Sequence, residues 1–188
     1  VKRCDIVFLA VKPQSFPAML REIRPAAGGG KTFVSIAAGI SSRSIVKALS
    51  CDCPVIRAMP NTPLLIGKGA TAVSRTENVA DRTFELVRRL LSSCGTVAEI
   101  DESRMNAVIG VNGSSPAYIY LFVRAVLKSA EKQGIGPEIA LPLICQTLTG
   151  SARMLLETGK TPDELIKAVS SRGGTTVAAL DVLEQNGF

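Results

Sequence analysis

Four short segments carry residue types able to bind or transform a ligand: Ala10-Val-Lys-Pro13, Arg57-Ala-Met-Pro-Asn-Thr-Pro63, Asn112-Gly-Ser-Ser-Pro-Ala-Tyr118 and Ser170-Ser-Arg-Gly-Gly-Thr-Thr176. Lys12 is a cation at the end of an apolar run, where open α/β sheets receive their ligands. Gly173 and Gly174 precede a helical pattern. Backbone N–H groups that glycine leaves accessible at a helix start form an anion site. Ser114 has no imidazole beside it to make it a nucleophile, because the chain contains no His. That absence also excludes His-ligated metal sites and the commonest hydrolase mechanisms. Each segment has a plainer reading too: a solvated strand end, a rigid proline turn, a helix break and an N-cap.

Residues 1–100 alternate apolar runs with amphipathic stretches and must build the frame for the first two segments. Asp5–Val11 is a continuous apolar run of the kind a strand buried on both faces shows. Further strands are predicted over Thr32–Ala37, Pro54–Ala58, Gly69–Val73 and Gly95–Ile100. Helices are predicted from Phe16 to Ile23, from Ser44 to Leu49 with Ser41 or Ser42 as N-cap, and over about Asn78–Leu91. Such alternation predicts a layered α/β fold, a partial Rossmann-like doubly wound sheet with helices on its faces. Residues 101–188 lose the strand pattern and read as an all-α domain. A helix is predicted from Asp101 to Val111, followed by long helices after Pro116 and Pro137. Thr161-Pro-Asp-Glu164 is a capping box, and the last helix spans Val177–Gln185. Two domains are therefore expected, residues 1–100 and 101–188.

The 188 residues include 22 Lys and Arg against 16 Asp and Glu. Residues 1–100 hold 14 basic and 7 acidic residues, and residues 101–188 hold 8 and 9, so the surplus lies wholly in the first half. With aromatics at only 4%, a phosphate-bearing small ligand suits that charge better than nucleic acid. Apolar runs such as Ile6–Val11 are far shorter than the ~18 residues a membrane span needs, so no membrane partner is expected. The five cysteines are scattered and odd in number, and no leader-like stretch precedes the first strand pattern. Both features predict a reducing cytoplasm, with Cys51 and Cys53 as ordinary thiols before they are a redox pair.

In this order and spacing, the segments resemble the Δ1-pyrroline-5-carboxylate reductase family. Its pattern of A-V-K-P, S-x-A-A-G, R-x-M-P-N-T-P, G-S-G-P-A-Y and S-P-G-G-T-T corresponds here to Ala10–Pro13, Ser35–Gly39, Arg57–Pro63, Gly113–Tyr118 and Ser171–Thr176. Three positions depart from it: Asn112 for Ser, Ser115 for Gly and Arg172 for Pro. The resemblance implies an oxidoreductase that reduces a cyclic imino acid to proline with NADP or NAD, a reaction needing no imidazole. It implies Thr176 as the catalytic group, hydrogen-bonded to the imine nitrogen. It further implies Ser171, Gly174 and Thr175 at the substrate carboxylate and Ser114 in the pocket floor. Ala10, Val11, Lys12, Ala37 and Ala38 would line the cofactor groove, with Asn61 beside the nicotinamide. The helical half would form a homodimer in which one protomer's Gly-Gly-Thr-Thr loop completes its neighbour's site. No G-x-G-x-x-G loop is present, so the chain is expected to start part-way through a larger sheet. Two alternatives stand beside this reading: another Rossmann-plus-helical dehydrogenase, and a non-catalytic oligomerisation module.

Overall fold

The apolar runs become five strands of one sheet: β1 (Ile6–Leu9), β2 (Thr32–Ser35), β3 (Val55–Met59), β4 (Gly69–Arg75) and β5 (Gly95–Glu99). The computed structural model describes residues 1–188. The strands lie side by side in chain order. β1, β2 and β3 are parallel, with Leu9 beside Ser35 and Ser35 beside Arg57. β4 runs antiparallel to β3, and β5 runs parallel to β4. The α/β fold expected from the pattern therefore forms, as a mixed sheet with a Rossmann-like parallel half.

The sheet separates two apolar layers through the period-2 alternation of its strands. Leu9, Phe33 and Val55 face α1 (Phe16–Ile23) and α2 (Ser42–Leu49), where Phe16, Leu20, Ile45 and Leu49 complete a buried cluster. Val34, Ile56 and Val73 point the other way, against Phe84 and Val87 of α3 (Asp81–Ser92). Burying one such side chain contributes about 1.5–3 kcal/mol. Ser41 caps α2, its hydroxyl accepting the Ser44 N–H at 3.1 Å. β1 is less enclosed than the doubly buried strand its composition predicts: within residues 1–188 it pairs on one side only, with β2, and Phe8 is 43% exposed. Apolarity alone does not count a strand's neighbours. β4 and β5 approach closely at their starts, where Gly95 has φ +142 and a Cβ would lie 2.0 Å from the Gly69 carbonyl oxygen. No side chain fits there.

The helix predicted from Asp101 to Val111 does not form. Glu102–Arg104 is one turn of 3-10 helix, and Ile109–Gly113 is a π-helix leading into α4 (Ser115–Lys132). Asp101 makes no side-chain cap, while Met105 is fully buried against Met59 and Ala72. Tertiary contacts have overridden the helical periodicity. Beyond lie α5 (Pro137–Glu157), α6 (Pro162–Val169) and α7 (Thr175–Gln185). The capping box before α6 is formed in both directions, with the Thr161 N–H donating to Glu164 Oε2 at 2.8 Å and the Glu164 N–H to Thr161 Oγ1 at 3.3 Å.

By internal contacts the chain divides into two units, Val1–Tyr120 and Leu121–Phe188. Nearly all the buried apolar side chains belong to the first; in the second only Ala140 is buried. Leu143 (63%) and Leu156 (85%) of α5 stand largely exposed. α5 is 21 residues long with a mean hydropathy of 1.3, enough by length and composition alone to cross a membrane. No single apolar run had signalled it, because small and polar residues interrupt the stretch.

Candidate active site

The ends of β1 and β2 are tied together by the Ile36 N–H, which donates to the Leu9 carbonyl at 3.3 Å. The loops that follow them form one edge of the sheet, on the side where parallel strands offer a ligand site. Ala10, Val11 and Lys12 are exposed after β1, and Lys12 makes no ion pair. After β2, Ala37 is buried, Ala38 is exposed and Gly39 turns the chain with φ +75. Neither loop contains an acidic residue. Open backbone, small side chains and an unpaired cation fit a phosphate-bearing group such as a dinucleotide.

Asn61 lies just past the end of β3. Its carboxamide oxygen accepts the Ala70 N–H at 2.8 Å and its NH2 donates to the Asn112 carbonyl at 3.1 Å, closing the loop between β3 and β4. Asn112 replies from the π-helix: its NH2 donates to the Met59 carbonyl at 2.7 Å and the Ala70 carbonyl at 2.8 Å. Its side-chain oxygen is buried without a partner. The residue that departs from the family's Ser is thus a staple between two strand ends and the segment leading into α4. Ser114 follows it, half-buried, with its N–H on the Ile109 carbonyl at 2.8 Å.

The remaining predicted residues lie together in the second unit, around the start of α7. Gly173 takes φ +70, and Gly174 is the N-cap. The Gly174 N–H donates to the Ser171 carbonyl at 2.9 Å, leaving the N–H groups of Thr175 and Thr176 without internal partners. A Cβ on Gly174 would lie 2.6 Å from Ser171 Oγ, so glycine there keeps the serine close. Ser171, Arg172 and Thr175 are exposed and Thr176 is half-buried. Open N–H groups, the positive end of a helix and a hydroxyl make a small anion cradle.

A polar cluster escaped the sequence reading. Arg57, only 4% exposed, sits in the buried central strand β3, and its Nη1 donates to Glu102 Oε1 at 3.2 Å. The Glu102 carboxylate also accepts the Ser42 N–H at 2.7 Å and the Ser42 hydroxyl. Burial pushes the Glu102 carboxyl up, but the Ser42 donors and Arg57 together outweigh it and hold the group below its ordinary value. One signal was available: a guanidinium inside an apolar strand must find a counter-charge. Cys53, by contrast, is an ordinary core thiol, pushed up to about 12 by burial and the neighbouring Cys51, and protonated at neutral pH. A hollow of about 490 Å³ beside Ser74, Glu99 and Arg104 contains none of the predicted site residues.

Residues 102–188 match the family described as pyrroline-5-carboxylate reductase dimerisation, and residues 1–39 match NADP oxidoreductase coenzyme F420-dependent. The chain is 41% identical over 187 residues to a pyrroline-5-carboxylate reductase of Corynebacterium melassecola, covering 98% of this chain and 69% of that protein. To the Escherichia coli protein of the same name it is 40% identical over 184 residues, covering 98% and 68%. Among solved structures, the Plasmodium falciparum pyrroline carboxylate reductase with NADP bound superposes with a TM-score of 0.94 at 31% identity, covering 100% of this chain and 71% of that one.

Proposed function

The chain belongs to the pyrroline-5-carboxylate reductase family, and from that premise we propose that it is an oxidoreductase reducing 1-pyrroline-5-carboxylate to L-proline, with NADP or NAD as cofactor. The observation that carries this is likeness along the whole chain, taking in both the sheet edge and the Gly173–Gly174 loop. When bound in its reduced form, the dinucleotide would supply the hydride that reduces the imine carbon.

The protein's own residues bind and orient. Ala10, Val11 and Ala38 present open backbone and small side chains to the cofactor, Ala37 packs beneath them, and Lys12 offsets phosphate charge. Asn61 borders the groove through the loop its amide closes. The Thr175 N–H and the Ser171 hydroxyl grip the substrate carboxylate, and Gly174 keeps that approach clear of a side chain. Thr176 Oγ1 accepts a hydrogen bond from the protonated imine nitrogen and so orients the ring. Ser114 shapes the pocket floor without acting as a nucleophile.

The protein assembles as a homo-oligomer through its dimerisation region. The exposed apolar side chains of α5, and the apolar groove of about 370 Å³ that Met154, Leu165 and Ile166 help to line, serve this pairing and not a bilayer. We place the protein in a reducing cytoplasm, where five free cysteines persist.

The full-length protein should oxidise NADPH in the presence of pyrroline-5-carboxylate. Thr176→Ala should lose about a hundredfold in kcat/KM. An inactive wild type would overturn the assignment, whereas an unimpaired variant would remove only the role given to Thr176.

A further inference from the structure

The cluster of Arg57, Glu102 and Ser42 lies outside the groups that touch substrate or cofactor, yet it adjoins the loop assigned to the cofactor. The turn between β2 and α2, Ile36–Ser41, is anchored at both ends. At its start Ser35 Oγ accepts the Ala37 N–H at 3.4 Å. At its far end Ser42, the first residue of α2 and only 7% exposed, gives both its N–H and its hydroxyl to Glu102. Glu102 is itself fixed by Arg57, whose backbone pairs with Ser35 on one side and Ser74 on the other. Arg57 therefore stands behind both anchors, its backbone through the strand register and its guanidinium through the Glu102 carboxylate.

An ion pair with a buried guanidinium and a half-buried carboxylate is poor as a stabilising device, because desolvation offsets much of the attraction. It is good at fixing geometry, since charge-assisted hydrogen bonds are directional and Glu102 joins donors from separate elements. Glu102 spends both oxygens on donors from two different elements, β3 and the start of α2. Ala37, Ala38 and Gly39 then have little freedom, and Gly39 must hold φ +75 for the turn to present its backbone outward. We propose that Arg57 is a positioning residue that acts through Glu102 and Ser42 to keep the Ile36–Ser41 turn in the shape the dinucleotide needs. This rests on the assignment of Ala37 and Ala38 to the cofactor groove.

The test compares Arg57→Met, Glu102→Gln and Ser42→Ala in the full-length protein. The readout is the dissociation constant for NADPH, by fluorescence without substrate, together with steady-state kinetics, all below each variant's melting temperature. The expected result is an NADPH Kd and KM raised about tenfold in Arg57→Met and Glu102→Gln and less in Ser42→Ala, with the KM for the imine unchanged. Glu102→Asp should recover part of the loss. A role in stability alone would lower the melting temperature and leave the Kd of the folded protein within about twofold of wild type, which overturns the proposal. Should Arg57→Met not fold, Ser42→Ala, which removes one hydroxyl, decides by the same measurement. Ala38→Trp separates the premise from the inference. If it abolishes NADPH binding while Glu102→Gln does not, the positioning role alone is overturned; if it binds normally, the groove assignment falls and the proposal with it.

Discussion

The sheet unit and the helical unit dispose of their apolar side chains in opposite ways. In Val1–Tyr120, Phe16, Phe33, Phe84 and Ile56 are all but completely enclosed, and the unit closes a core on each face of its sheet. In Leu121–Phe188 apolar residues are nearly as frequent, yet Leu121, Leu143, Leu155 and Leu156 are exposed and only Ala140 is buried. Both patterns are amphipathic at the level of sequence. The difference is where the complementary surface comes from: the first unit carries its own, and the second, which matches a dimerisation family, is proposed to take it from another copy of the chain.

Substitutions should separate the two regimes. The largest effect belongs to Phe33→Ala, which should cost about 3–5 kcal/mol in denaturant unfolding, since Phe33 is fully buried. Leu156→Ala, at 85% exposure, should cost under about 0.5 kcal/mol of the protomer's own stability. A comparable loss from both would break the contrast. Next comes Leu143→Glu combined with Leu155→Glu, which places two charges on the exposed apolar surface. It should weaken self-association roughly a hundredfold, about 2.7 kcal/mol, and give protomers in sedimentation at concentrations where the wild type is oligomeric. An unchanged sedimentation profile would move the pairing surface elsewhere. The smallest effect is acid sensitivity in the sheet unit. Glu102 is held below its ordinary value, so its contribution is present above the unfolded-state carboxylate pKa and is lost as pH falls through the lowered one. The melting temperature of the wild type should therefore fall on acidification through the carboxylate range, and Glu102→Gln should flatten that limb.

Much of the sheet unit was legible in its sequence because strand and helix periods differ and proline, glycine and serine punctuate them. The start of α2 at Ser41 and the capping box at Thr161 follow from side-chain chemistry confined to a few residues. Where distant residues decide, local pattern failed. Residues 101–111 carry a helical period, but burial of Met105 and the pull of Ser42 and Arg57 on Glu102 produce a 3-10 turn and a π-helix. The exposure of Phe8 depends on whether a strand lies beyond β1, which the residues of β1 do not encode. The site divides in the same way. Lys12 and the Gly173–Gly174 loop are visible as short motifs, whereas the Arg57–Glu102 pair joins residues far apart in the chain. Asn112 looked like a mild substitution until its hydrogen bonds to Met59 and Ala70 were seen.

The strand order of the sheet bears on how a local change spreads. Each of the five strands pairs only with strands adjacent to it in the chain, even where the direction reverses between β3 and β4. A slip of one residue in β3 would turn its side chains to the opposite faces and disturb β2 and β4 together, whereas the same slip in β5 would disturb β4 alone.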